Sequence, residues 1–183
     1  MRPRQPLPRV WLMTDERMGE GLWAALARLP RGGGVVFRHY ATPPAERRAL
    51  FKRVRAIARR RRLVLVLAGK VGQAVAWRAD GVHGRRSDRA SRPLLRTAPA
   101  HDHRELVAAR RAGADLAFLS PVFPTRSHPG AAALGAARFG RLANGSEVDA
   151  IALGGMDGTR FKQLRMLGAK GWAAIDAWLS SSS

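Results

Sequence analysis

Short apolar runs alternate with longer segments of helical spacing along most of the chain. Val10 to Thr14, Val35 to Phe37 and Leu63 to Leu67 read as strands, the last of them unbroken as in strands buried on both faces. Gly81 to His83, Leu94 to Thr97, Leu116 to Leu119, Ala150 to Leu153 and Gly171 to Ile175 are further strand candidates. Between them, Met18 to Leu29 places Leu22, Trp23, Leu26 and Leu29 on one helix face. Thr42-Pro43-Pro44 supplies a capping hydroxyl and a first-turn proline. The helix it opens has an apolar stripe of Leu50, Val54, Ile57 and Ala58, surrounded by Arg47, Arg48, Lys52, Arg53, Arg55 and Arg59 to Arg62. Asp102 and Glu105 resemble a capping box and open a helix through Arg111 that Gly113 ends. Val71 to Trp77, Leu134 to Ala143 and Thr159 to Leu167 are the other helical segments, and Asp176 to Leu179 is the stub of a last one.

Up to eight strands alternating with helices predict an α/β fold around a parallel sheet, either an eight-stranded barrel or an open doubly wound sheet. At 183 residues the chain is short for a barrel, so some outer helices must be reduced to loops, Asp88 to Arg92 among them. One domain is expected over 10–179, after an extension at 1–9 and before a disordered serine tail at 180–183.

The formal charge of +20 changes the picture less than its size suggests. Four of the 33 basic residues are lysine, and the arginines are spread over nearly every segment, as in a bias of the whole proteome. Such a charge supports attraction to polyanions at low salt without specific nucleic-acid recognition. The absence of cysteine excludes disulfides and thiolate-held metal. No apolar run approaches the roughly eighteen residues that span a bilayer, and the N-terminal apolar segment is too short for a signal peptide, so cytoplasmic residence and no membrane partner are expected.

The chain is organised around Leu116 to Gly130, LAFLSPVFPTRSHPG, a buried strand that breaks into a loop rich in hydroxyls and cations. This is how parallel α/β proteins build sites. Together with the early TD (Thr14-Asp15), a strand ending in Arg38, ADGVH (Ala79 to His83), AHDHREL, IALGGM and GAKGWAAI, it resembles the thiamine phosphate synthase/TenI family from about Val10 to Trp178. The resemblance implies a (β/α)8 TIM barrel, here shortened, with ligands at the C-terminal ends of its strands. It implies a role in thiamine biosynthesis on a phosphorylated thiazole. The synthase branch joins that thiazole phosphate to a pyrimidine pyrophosphate with Mg2+, whereas the TenI branch isomerises a thiazole carboxylate phosphate.

Carried over residue by residue, the resemblance makes His101 the proton shuttle of the TenI-like tautomerase, which requires no cofactor. Histidine suits that work because its ordinary pKa lies near neutrality. Arg38, Lys70, Thr125, Ser127, His128, Gly154, Gly155 and Ile175 match positions that hold substrate or phosphate, and Asp88 matches a metal carboxylate if Mg2+ is used. Several family residues are replaced. The Gln and Lys flanking Arg38 are Val36 and Tyr40, Asn-Asp-Arg after the third strand is Ala68-Gly69-Lys70, and the loop lysine is His128. Asp176 stands where a serine would meet phosphate. Losing cations and a metal carboxylate weakens pyrophosphate departure more than a proton shift, so tautomerase ranks first and synthase second.

Bland alternatives stand beside these. Arg38 could pair with Asp15, Asp88 could be a surface carboxylate among arginines, and His83 could be structural rather than lining the site. The chain could be a non-catalytic barrel binding a thiamine precursor or a protein, with a homodimer as a further expectation. A nucleic-acid binder driven by the helix from Arg47 to Arg62 is the third class.

Overall fold

The computed structural model describes residues 6–86, 88–125, 130 and 132–179. Eight parallel strands close into a barrel in sequence order: β1 (Val10–Met13), β2 (Gly34–Phe37), β3 (Val64–Ala68), β4 (Gly81–His83), β5 (Leu95–Ala100), β6 (Leu116–Leu119), β7 (Asp149–Leu153) and β8 (Gly171–Ala174). Closure pairs β1 with β8, Trp11 opposite Ala173. A closed parallel sheet has no free edge, and every strand passes between core and helix layers, which explains the continuous apolar runs. Of the two predicted architectures the barrel is the one formed.

Among the described residues six α-helices surround it: α1 (Gly21–Arg28), α2 (Pro44–Arg61), α3 (Val71–Ala76), α4 (His103–Arg111), α5 (Gly135–Asn144) and α6 (Gly158–Arg165). The described residues between β4 and β5 contain no helix, and the segment after β8 is a 3-10 turn, Asp176–Trp178. The shortening is therefore taken from the outer layer, as expected.

Some local expectations are corrected. Thr42 does not cap α2: Pro43 is the N-cap residue, no side chain caps the helix, and proline at the first positions needs no amide partner. At α4, Asp102 Oδ1 accepts the Glu105 amide at 2.8 Å, but Glu105 reaches back one residue further, to the His101 amide at 2.8 Å. The Asp before β4 and the Asp before β6 have a structural role. Asp80 Oδ2 accepts the Leu65 amide and Asp115 Oδ2 the Arg96 amide, each at 2.8 Å, tying a strand to its neighbour.

The buried face of α2 is Arg47, Phe51, Val54 and Ala58, with Leu50 and Ile57 half-buried. Arg47, grouped in the sequence with the solvated arginines, is thus part of the interior. The exposed side of α2 repeats like charges at three- and four-residue spacing, each such pair costing about 0.2–0.5 kcal/mol.

Within the barrel, the Trp11 indole fills the space over Gly34 and meets Phe118 edge-on at 5.3 Å. A Cβ on Gly34 would lie 2.2 Å from the Trp11 ring. Gly34→Ala is therefore expected to destabilise the protein by about 2 kcal/mol or more, a fall in Tm of roughly 4–8 °C. Combining it with Trp11→Phe, which vacates the clash, should recover part of that loss in thermal unfolding.

Candidate active site

The C-terminal ends of the strands gather the residues of interest into one rim. The Thr14 hydroxyl, fully buried after β1, accepts the Arg38 amide at 3.1 Å and lies 2.9 Å from His39 Nδ1. Arg38 Nε donates to the Thr14 carbonyl at 2.8 Å and Arg38 Nη2 to Asp15 Oδ2 at 3.0 Å. Asp15 also takes Arg17 Nε at 2.7 Å, so one carboxylate sits between two guanidiniums. The hydrogen bond from Arg17 holds the Asp15 carboxyl below its usual pKa, against the opposing effect of burial. The alternative pairing foreseen for Arg38 is the one adopted, and it points the side chain along the rim. Burial lowers the Arg38 pKa, partly offset by Asp15.

Arg47 clamps this corner. Its guanidinium donates to the Arg38 carbonyl through Nε at 3.1 Å and Nη2 at 2.7 Å, to the Ala68 carbonyl at 2.7 Å and to Gln73 at 3.3 Å. The Phe37 and Trp77 rings each lie 5.6 Å from it. Sequence reasoning missed it, and the available signal was its position four residues before Phe51 and seven before Val54. His39 was missed as well. It is buried at φ +39°, stacked on Phe37 at 4.7 Å, and burial lowers its pKa.

His83 ends β4 inside the barrel, 2.9 Å from the Thr97 hydroxyl and edge-on to Phe118 at 5.5 Å. Burial, with smaller contributions from the charges of Arg38 and Arg85, pushes it down to about 4. This neutral, packed histidine fits the structural alternative.

His101 follows β5 directly and is exposed. Its Nδ1 lies 2.6 Å from the Ser120 carbonyl at the end of β6. A carbonyl only accepts, so Nδ1 carries the proton and Nε2 is the basic nitrogen of the neutral ring. Glu105, which takes the His101 amide, is also paired with Arg85.

Gly154 and Gly155 follow β7 at φ +93° and +60°. A Cβ on Gly154 would fall 2.8 Å from Pro121 Cα, and one on Gly155 2.6 Å from the Pro124 carbonyl. Backbone conformation and the close approach of the loop after β6 both require glycine there. That loop is tied to β7 by Val122 N to Leu153 O at 2.9 Å and Phe123 N to Gly154 O at 3.1 Å. Thr125 is half-buried at its near end, whereas Ser127 and His128 lie outside the described residues. Lys70 is exposed at the N-cap of α3. Ile175 is buried and begins the 3-10 turn, and Asp176 beside it is half-buried within the electrostatic reach of Arg17.

Asp88 is paired with Arg86 at 3.0 Å on an exposed loop. Among the described residues no group of three His, Asp or Glu side chains could hold a metal ion. With Lys70 where the family has arginine and Gly69 in its carboxylate position, this donor set does not fit Mg2+, which takes near-octahedral oxygen ligation.

Residues 10–178 match the family described as thiamine monophosphate synthase. The chain belongs to the thiamine phosphate synthase/TenI family. It is 30% identical to the "Putative thiamine-phosphate synthase 2" of Aquifex aeolicus, over 94% of this chain and 98% of that one. It is 27% identical to the thiamine-phosphate synthase of Chloroflexus aurantiacus, over 92% of this chain and 84% of that one. The thiamine phosphate pyrophosphorylase of Pyrococcus furiosus shares the fold, with a TM-score of 0.75 at 23% identity over 96% and 89% of the two chains. FabK of Thermotoga maritima superposes nearly as well, with a TM-score of 0.72 at 15% identity over 96% of this chain and 60% of that one, so the fold alone does not select a reaction. No helix among the described residues is long and apolar enough to cross a membrane.

The depressed pKa of His83 sets a pH dependence for this family member. The folded chain keeps His83 neutral down to about 4, whereas an unfolded histidine protonates near 6.5. Below 6.5 the unfolded state therefore binds more protons, and stability falls as pH drops towards 4. Between pH 7 and pH 5 this contribution amounts to about 2 kcal/mol. Urea unfolding at the two pH values should show the native protein losing about that much more stability than His83→Gln.

Proposed function

We propose that this family member is a TenI-like thiazole tautomerase acting on a thiazole carboxylate phosphate. The observation that carries the reading is the His101–Ser120 hydrogen bond, which fixes Nδ1 as the protonated nitrogen and frees Nε2 to take a proton. Nε2 removes a proton from one position of the bound ring system and returns it to another. The resulting imidazolium is stabilised by its Nδ1–H bond to the Ser120 carbonyl. A proton shift needs no leaving group, and the reaction as proposed uses no metal or cofactor.

The phosphate would be met by Arg38, which spends Nε and Nη2 on Thr14 and Asp15 and keeps Nη1 for an anion. Lys70, the Gly154–Gly155 backbone, Ile175 and the loop residues Thr125, Ser127 and His128 complete the proposed cradle. Asp176 beside it lies within the electrostatic reach of Arg17.

The relatives named as thiamine-phosphate synthases favour the second reading, a transferase joining thiazole phosphate to a pyrimidine pyrophosphate. The poor fit of the side chains to Mg2+ ranks it lower. His101→Ala is expected to lower the rate of tautomerisation by about 10²–10⁴-fold with the thermal melt unchanged. Full activity in that variant, or rapid Mg2+-dependent formation of thiamine phosphate by the native protein, would overturn the reading.

A further inference from the structure

The edge of α2 carries a row of cations with no acidic partner among the described salt bridges. Arg48, Lys52, Arg55 and Arg59 follow one another at spacings of four, three and four residues, and Arg62 continues the series at the C-cap. At that period the side chains line one side of the helix, over roughly 17 Å between Arg48 and Arg59. Arg53 and Arg60 lie roughly 120–140° further round the helix and are not part of the row, of which all but Arg55 are exposed. Glu46 is the sole acid in α2, and none of the described salt bridges reaches the helix. The side chains that are held are held by neutral partners. Arg53 lies over the Trp23 ring at 4.3 Å, and Arg55 Nε donates to the Arg78 carbonyl at 3.1 Å.

A row of like charges weakens its own helix, and here only the last turn gains from the helix dipole. The row also lies on the outside of the barrel, on a helix whose inward face is already used by the core. It is independent of the rim at the C-terminal ends of the strands.

We propose that this edge of α2 is a docking surface for the phosphate backbone of a nucleic-acid duplex, bound without regard to sequence. A straight, rigid row of cations matches a rigid ridge of phosphates. A membrane surface would call for an apolar face beside the charges, and that face of α2 is buried. Among the described residues the exposed large hydrophobics are Leu7, Tyr40 and Met166, none of them in α2. A single strand would call for aromatic rings on which bases stack, and α2 exposes none.

The alternative to a local surface is diffuse attraction by the +20 charge, and a matched pair of variants separates the two. Binding of a fluorescent DNA duplex is followed by anisotropy for the native chain, for R48E/K52E/R59E, and for R104E/R138E/R165E. The control set reverses the same number of exposed cations, on α4, α5 and α6. The α2 set should weaken binding by at least about tenfold and the control set by less than about threefold. Equal losses would overturn the proposal. The native chain should also lose affinity with a log–log salt slope of about −3 to −5, as expected for four or five phosphate contacts. A slope near zero would overturn it even if the α2 variant failed to fold. So would tighter binding to a single strand of the same length, or to anionic vesicles in place of the duplex.

Discussion

The barrel depends on the Trp11 indole seated over Gly34. Interior positions of an eight-stranded barrel must be filled by side chains, and here one ring spans much of that space. It reaches Phe118 from the opposite side, its Nε1 donates to the Pro8 carbonyl at 2.7 Å, and its carbonyl accepts Trp178 Nε1 at 3.1 Å. Trp178 stacks in turn on Trp172 of β8 at 5.1 Å. The seam between β1 and β8, where the chain's ends meet, is thereby closed with aromatic packing as well as backbone bonds. The cost is that β2 must begin with glycine.

With the barrel closed, the rim is organised by arginines doing different jobs. Arg47 is structural: buried, held by carbonyls from the ends of β2 and β3, and flanked by aromatic rings. Arg38 is half-committed, bonded to Thr14 and Asp15 yet placed at the mouth. Arg17 is exposed, completes the Asp15 pair and lies within electrostatic reach of Asp176. The row on α2 belongs to neither core nor rim. Thus the same residue type serves packing, anion placement and surface charge within one small domain, and burial and partners tell the three apart.

The fold was legible in the sequence to a large degree. Eight apolar runs, the helices between them and the lost helix after β4 all correspond to elements of the structure, because burial on both faces of a strand leaves a local mark. The rim was legible only in outline. Arg38 and His101 could be placed at strand ends and Asp15 named as a partner for Arg38, but the Ser120 bond of His101 bridges 19 residues and the Arg47 bond to Ala68 bridges 21. No local pattern encodes such contacts. Arg47 was misplaced because charge outweighed its position on the helix face.

By itself the sequence determined the alternation of elements, the order of the family's motifs and hence the family, and the replacement of a metal carboxylate by Gly69. These are properties of residue type and spacing. The tertiary structure alone put Arg47 inside, drove the His83 pKa down to about 4 and fixed the basic nitrogen of His101. Each depends on desolvation or on a partner from a distant strand, and both exist only once the barrel has closed.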